Sequence, residues 1–481
     1  MATATLTTPH PIYLAGQWVT SPDVLVVDDP SNPERPAGAT YTATPEQYEQ
    51  AVQGAIEGFQ RMRRLSAMER SRALHHVEQG LRARREEIGR IITRESGKPI
   101  RDALAEVDRA ILTFKLGAEE AERITGETIP LDLNPASKGR MGITRRFPIG
   151  PVAATSPFNF PLNLAAHKIS PALAAGCSIV LKPPSRDPLT MLAVAEIIDE
   201  AGLPEGAVSI LPMDRQLGDR LVEDDRFKLL TFTGSPGVGW KMKERAGRKK
   251  VVLELGGNAG AVVDASADLD WAVQRCLMGA FSYAGQVCIS VQRLFVHQAI
   301  WEPFMERFVE GARAITVGDP MDPETKLGPM VDLAAAERIG GWVDQAVAAG
   351  ASVLAGGSGQ GQAFPATILT NVPPDAAVCT EEAFAPVVVV APFSDFDTVL
   401  AQVNDSRFGL QAGLFTNDLA NAWKAFEQLE VGGVIVNDVP TYRIDHMPYG
   451  GVKDSGLGRE GLRWAIEDMT ELRILVLAQP A

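Results

Sequence analysis

Between positions 45 and 124 apolar residues recur at steps of three and four among Arg and Glu, which predicts packed surface helices over 45–65, 67–90 and 101–124. From Gly150 the pattern changes to short apolar runs, at 152–156, 178–182, 208–211, 228–232 and 251–255, each followed by a helical stretch. That rhythm predicts repeated βα units and a parallel sheet covered by helices. Open parallel sheets bind ligands at the carboxyl ends of their strands. The residues just past the runs are therefore candidates: Asn159, Lys182, Gly234 with Ser235, and Glu254. A second α/β block is predicted from Asp264 onward, with a helix capped by Asp268 and further apolar runs at 293–296, 386–390, 413–415 and 433–436. Residues 126–148, rich in polar and turn residues, read as an extended arm whose strand partner is the apolar run 474–477.

A chain of 481 residues divides naturally into two or three compact domains, with room for a cleft between them. Its formal net charge of -14 disfavours non-specific attraction to nucleic acid or anionic lipid, so an anionic ligand needs local positive groups. No nucleic-acid partner and no metal site are expected. Cys177, Cys276, Cys288 and Cys379 lie far apart without a CxxC pair, which points away from a zinc ribbon or disulfide framework and toward a reducing, cytoplasmic setting. Residues 1–16 have no basic residue before His10 and no continuous apolar core, so no leader is expected there. Nor does any stretch approach the roughly 18 unbroken apolar residues of a membrane span.

Five features carry candidate chemistry. Residues 233–239 (TGSPGVG) form a glycine-rich turn between strand and helix, either a phosphate cradle or an ordinary βα turn. Lys182 leaves an apolar strand at the same sheet edge, as a ligand group or a solvated lysine. Cys288 follows a glycine that breaks a helix, and it is either an exposed thiol or a small core residue. Glu254 closes a strongly apolar run, so it is either paired or holds a raised pKa suited to general base work. Asn159, in an aromatic loop, offers amide hydrogens to a developing oxyanion or caps the helix that follows.

These pieces occur in a fixed order: PFNFPLN (157–163), LKP (181–183), FTGSPGVG (232–239), ELGG (254–257), GQVC (285–288), EEAFAP (381–386) and PYGGVKDSGLG (448–458). Together they resemble the NAD(P)-dependent aldehyde dehydrogenase superfamily over nearly the whole chain. The resemblance implies an α/β fold with a Rossmann-type cofactor domain (1–125 and 147–254), an α/β catalytic domain (255–465) and a β-arm for oligomerisation (126–146 and 466–481). It further implies a homodimer or homotetramer.

The same resemblance implies Cys288 as nucleophile, Asn159 as oxyanion donor, Glu254 as the base that activates water, and Lys168 with Glu467 as a charged pair behind that base. It assigns NAD or NADP as cofactor, held by Ser156, Pro157, Lys182, Ser185, Gly234, Ser235, Gly256, Glu382 and Phe384. Ser185 stands where many family members carry glutamate, which removes a barrier to a 2′-phosphate, and Arg186 beside it adds a positive charge; NADP is therefore expected to be tolerated. The substrate pocket is implied to include Phe160, His167 and Arg443, and the loop 437–458 is most similar to members acting on small hydroxylated or anionic aldehydes. Structural salt bridges are the alternative for Arg293 and Arg443. Two rival functions are a CoA-acylating dehydrogenase, which typically lacks the glutamate found here as Glu254, and a non-catalytic protein of the same fold, which would be expected to lose Cys288 or Asn159.

Overall fold

The computed structural model describes residues 8–478, leaving 1–7 of the expected leader-free N-terminus and 479–481 of the expected arm outside it. Its first sheet is built around five parallel strands in the spatial order Val208–Ile210, Ile179–Lys182, Val152–Thr155, Leu229–Thr233, Lys250–Glu254. The connections are helices, as the βα rhythm predicts. The hairpin Ile12–Leu14 and Gln17–Val19 extends one edge, and the short strand Gly456–Leu457 pairs antiparallel at the other. In register, Thr155 stands opposite Lys182 and Phe232, and Thr233 opposite Glu254. The carboxyl ends of four strands thus finish at one edge, where parallel sheets hold ligands.

The second sheet has the order Ser352–Ala355, Thr367–Thr370, Val387–Phe393, Arg293–His297, Gly260–Val263, Gln411–Phe415, Gly433–Val436, all parallel after the first pair. It starts at Gly260, slightly before the expected Asp264. The helix Leu269–Phe281 is capped by Asp268, whose side chain accepts from Trp271 N at 3.1 Å.

In the helical first third, the stretch 67–90 divides into Ala67–Ala83 and Arg85–Ser96 at Arg84. Periodicity alone does not resolve this break, because the apolar positions Leu74, Val77, Leu81, Ile88 and Ile92 continue across it into one core. The helix Ile100–Glu122 buries Ala103, Val107, Ala110 and Phe114 in that same core, beside Asn163–Ala175, whose residues are all buried.

The arm forms as read: Thr470–Ala478 pairs antiparallel with Arg140–Pro148, Ile474 opposite Thr144, and Thr128–Pro130 adds a third strand. Before reaching the arm, the chain returns from the second sheet to the first. Gly456–Leu457 joins the edge of the first sheet, and Ile466 and Met469 enter its core. Among the described residues no helix is long and apolar enough to cross a membrane.

Candidate active site

Cys288 is presented by a turn that costs conformational energy. Tyr283, Ala284 and Gly285 all have positive φ (49°, 53° and 64°), a region that penalises L-residues by about 1–2 kcal/mol each. Buried contacts hold the turn. Tyr283 Oη donates to Ser96 O at 3.3 Å, and a Cβ at position 285 would lie 2.1 Å from Ala385 O, so only glycine fits there. Gln286 Oε1 accepts from Val331 N at 2.8 Å. The thiol that follows is partly exposed, and all four cysteines are free.

Asn159 is released from the capping role that its sequence position offers. The helix begins at Asn163, and its N-terminus is capped from another helix: Glu106 Oε1 accepts from Leu162 N at 2.9 Å and Asn163 N at 3.1 Å. Glu106 also pairs with buried Lys98, whose ammonium stands over the Phe160 ring at 3.8 Å and the Tyr283 ring at 4.5 Å. Asn159 is left to donate one Nδ2 hydrogen to Gln286 O at 3.0 Å, which ties it to the Cys288 turn, and its second amide hydrogen remains available to an oxygen at the sulfur.

Glu254 ends its strand buried, with neither carboxylate oxygen hydrogen-bonded. Burial and the neighbouring Glu460 charge push its pKa well above the ordinary carboxylate range, against the pull of Arg443 and Lys168. Cys288, Asn159 and Glu254 line one cavity of about 450 Å³ together with Ser156, Pro157, Gly234, Ser235, Gly256, Glu382 and Phe384. A second cavity of about 530 Å³, lined by Lys182, Arg215, Gly218 and Lys241, shares Thr155, Ser185 and Ser235 with the first. Thus Cys288, Asn159, Glu254 and all nine sequence-derived cofactor candidates converge on this pair of cavities.

The paired cavities suit an extended dinucleotide. Ser235 precedes the helix Pro236–Arg245 without using its side chain as a cap, which leaves the hydroxyl and the helix N-terminus for phosphate. A Cβ at Gly256 would sit 2.2 Å from Glu382 Oε2, so glycine is needed for Glu382 to close over the backbone. Glu382 Oε1 accepts from Gly257 N at 3.2 Å, and burial pushes its pKa up to about 7. Lys182 donates to Ser185 Oγ at 3.3 Å. Arg186, by contrast, is committed to Asp332 at 2.5 Å, while Arg215 and Lys241, which the motif reading missed, line the cavity beside Ser185.

The charged pair behind the base needs correction. Glu467 is half exposed and pairs with Arg463 one turn back on its own helix, at 3.5 Å. The acid that meets Lys168 is Glu460, at 3.3 Å, with both side chains buried. Lys168 Nζ also donates to Thr233 Oγ1 at 2.7 Å and Thr231 Oγ1 at 3.2 Å. Burial opposes ionisation of Glu460, but Lys168 and Arg443 outweigh it and lower its pKa to about 2. Glu460 stands two residues past the glycine turn GLG, at 456–458, and no local signal marks it.

His167 and Arg443 are likewise placed behind the pocket. Arg443, 5% exposed at its side chain, donates to Glu460 Oε2 at 2.9 Å, and its guanidinium covers the Tyr449 ring at 3.8 Å. His167 Nε2 is hydrogen-bonded to Asp445 Oδ1 at 2.9 Å, and burial and then Arg443 lower its pKa. Arg109 makes a two-pronged pair with the same Asp445, at 2.7 and 3.2 Å, and lies 5.8 Å from the Phe160 ring centre. Arg293 is structural, donating to the carbonyls of Asn258, Gln402 and Val403.

Residues 18–475 match the sequence profile of the aldehyde dehydrogenase family. A 3-sulfolactaldehyde dehydrogenase from Priestia aryabhattai is 45% identical over 99% of this chain and 100% of its own length. The crystal structure of aldehyde dehydrogenase 21 from Physcomitrella patens, in complex with the reaction product succinate, superposes with a TM-score of 0.97 at 46% identity, over 98% of this chain and 99% of that one. A glyceraldehyde-3-phosphate dehydrogenase from Methanocaldococcus jannaschii, complexed with NADP, gives a TM-score of 0.91 at 37% identity, over 95% and 99% of the two chains. With two sheets and an arm arranged as in these structures, and a free thiol, an amide and a buried carboxyl on one cavity, the chain belongs to the aldehyde dehydrogenase family and is an NAD(P)-dependent aldehyde dehydrogenase.

Proposed function

We propose that the protein oxidises a small anionic aldehyde to its acid, with Cys288 as nucleophile, Asn159 as oxyanion donor and Glu254 as the base for hydrolysis. The observation that carries the assignment of roles is the convergence of these three side chains on one cavity. The Cys288 thiolate attacks the carbonyl carbon, and the carbonyl electron pair moves to oxygen, where the Asn159 amide and the Cys288 backbone N–H receive the charge. The chemistry contributed by bound NAD(P) is hydride acceptance, by which the adduct on Cys288 becomes a thioester. Glu254 then takes a proton from water as the water oxygen adds to the thioester carbon. The sulfur leaves as thiolate and the acid is released. The Lys168–Glu460 pair stands behind Glu254 as a route for that proton. A carboxyl at this place favours water over CoA as the acceptor of the acyl group.

The proposed cofactor region comprises 1–125 and 147–254, the catalytic region 255–465, and the arm 126–146 with 466–481. Lys182 and Ser185 would hold the adenosine ribose, Ser156, Pro157, Gly234 and Ser235 the phosphates, and Gly256, Glu382 and Phe384 the nicotinamide end. NADP is accepted in this reading, since position 185 carries no carboxylate and Lys182, Arg215 and Lys241 line the same cavity as Ser185, whose one acid, Asp219, is paired with Arg245. The anionic substrate is supported by the relative named for 3-sulfolactaldehyde and the structural neighbour holding succinate.

Absorbance of reduced cofactor, followed with a panel of aldehydes and both cofactors, tests the reading. Sulfonated and carboxylated short aldehydes should give the highest kcat/KM. Arg443 is buried and tied to Glu460, whereas the Arg109 side chain, although paired with Asp445, is 29% exposed, so Arg109 is the better probe of charge. Arg109→Met should raise KM for an anionic aldehyde about tenfold more than for a neutral one of the same length, the scale of a lost charge-assisted hydrogen bond. Equal effects would overturn the anionic assignment. The free cysteines support a cytoplasmic setting.

A further inference from the structure

The chemistry above leaves one contact of the nucleophile unused. Tyr449 Oη lies 3.0 Å from Cys288 Sγ, and the tyrosine is 3% exposed. Its place is fixed from both ends. The backbone pairs reciprocally with Glu460, Tyr449 N to Glu460 O at 3.0 Å and Glu460 N to Tyr449 O at 2.6 Å, while the Arg443 guanidinium lies on the ring and is itself anchored by the Glu460 carboxylate.

Resting on the reading of Cys288 as nucleophile, we propose that Tyr449 is a further catalytic residue, whose hydroxyl donates a hydrogen bond to the Cys288 thiolate before attack. The other ionisable groups that face the sulfur are Glu382, Glu254 and Arg443. Two of these are acids, which make a negative sulfur costlier, and Arg443 is occupied by the Tyr449 ring and Glu460. Burial, followed by the nearby Cys288 charge, pushes the Tyr449 hydroxyl well above its ordinary pKa. The proton therefore stays on the phenol oxygen, and a thiolate beside it can only accept. Burial pushes the Cys288 thiol up to about 11, with the Tyr449 hydrogen bond acting in the opposite direction. As the carbon–sulfur bond forms, the sulfur charge passes to the carbonyl oxygen. The phenol proton does not move.

The gain from such a bond has a characteristic size. Lowering a thiol pKa by one unit raises the thiolate population about tenfold below the midpoint, but nucleophilicity falls with pKa at a slope of about 0.4–0.5, so the net gain in rate is about threefold.

Tyr449→Phe removes the hydroxyl and keeps the ring that stacks on Arg443. Without aldehyde or cofactor, the thiolate fraction of Cys288 is read by ultraviolet absorbance between about pH 6 and pH 10, and its alkylation by iodoacetamide is timed over the same range, each corrected with Cys288→Ser. The variant should show about tenfold less thiolate and about threefold slower alkylation at every pH below the midpoint, so that each thiolate present reacts about threefold faster. A merely loosened site would not couple the two changes in this way. An unchanged thiolate fraction overturns the proposal. If the phenylalanine variant does not fold, a ring-fluorinated tyrosine at position 449, a stronger donor of nearly the same shape, should raise the thiolate fraction, and no change there overturns the proposal equally. These readouts need no turnover, so failure of the wild-type protein to oxidise any aldehyde would end the functional reading without deciding the role of Tyr449.

Discussion

A carboxylate three residues beyond Lys182 would face the same part of the cavity as Lys182, Arg215 and Lys241, and the absence of one there has a direct consequence. Ser185→Glu is expected to raise KM for NADP at least tenfold while leaving KM for NAD within about threefold, because like charges a few ångströms apart at a protein surface repel by several kcal/mol. Steady-state titration of both cofactors checks this, and parallel changes in the two would contradict it. The pH dependence is set by Cys288 and Glu254. Both are pushed up by burial, both react as bases, and so both gain competence as pH rises. Activity should climb through neutrality into the alkaline range, and a fall over that interval would contradict the assignment. These residues were legible in the sequence because each breaks a local rule: an acid ends an apolar run, and a cysteine follows a helix-ending glycine. Glu460 was not legible, since nothing local separates it from Glu467; which of the two meets Lys168 is decided only when Gly456–Leu457 pairs with the strand that ends at Glu254. Arg443 and His167 were recognised as polar residues near the pocket, but their partners were not, since Asp445 lies 278 residues from His167 and Glu460 meets Arg443 only after the intervening loop folds back.

At the scale of elements, the loop that carries Asn159 depends on the helix Ile100–Glu122 and on the short connection that precedes it. Lys98 and Glu106 are fully buried at their side chains, and Glu106 also caps the helix Asn163–Ala175. Removing one member leaves a buried charge without its partner, a loss of about 3–5 kcal/mol. Glu106→Ala should therefore lower the thermal midpoint markedly, and Lys98→Met combined with Glu106→Gln should recover part of the loss. A single variant as stable as the parent would show that the pair carries no weight. The five parallel strands of the first sheet were readable from their apolar runs, each ending within one residue of the expectation, because a buried parallel strand has no polar face to blur its limits; in the second sheet Gly260–Val263, Ser352–Ala355 and Thr367–Thr370 were missed and Val387–Phe393 runs three residues past the expected end. The break at Arg84 and the Glu106 cap were not readable. The first hides inside a continuous apolar stripe, and the second joins residues more than fifty positions apart.

The whole molecule presents a three-stranded arm whose final strand exposes Leu472, Ile474, Leu475, Val476 and Leu477. A contiguous apolar row on an open sheet marks an association surface, and a second copy of this chain is the proposed occupant. Light scattering should give a dimer or tetramer, and Ile474→Lys with Val476→Lys should shift it to smaller species; a monomeric parent would contradict this. The reaction cycle is also a property of the whole, since its parts come from both sheets: Glu254 and Asn159 beside the first, Cys288 beside the second. The most direct test of the account is mass spectrometry of Glu254→Gln after mixing with aldehyde and cofactor. With hydrolysis blocked, the account predicts a stoichiometric burst of reduced cofactor and an acyl mass added at Cys288, whereas undiminished turnover, or a burst without any adduct on that sulfur, would contradict it.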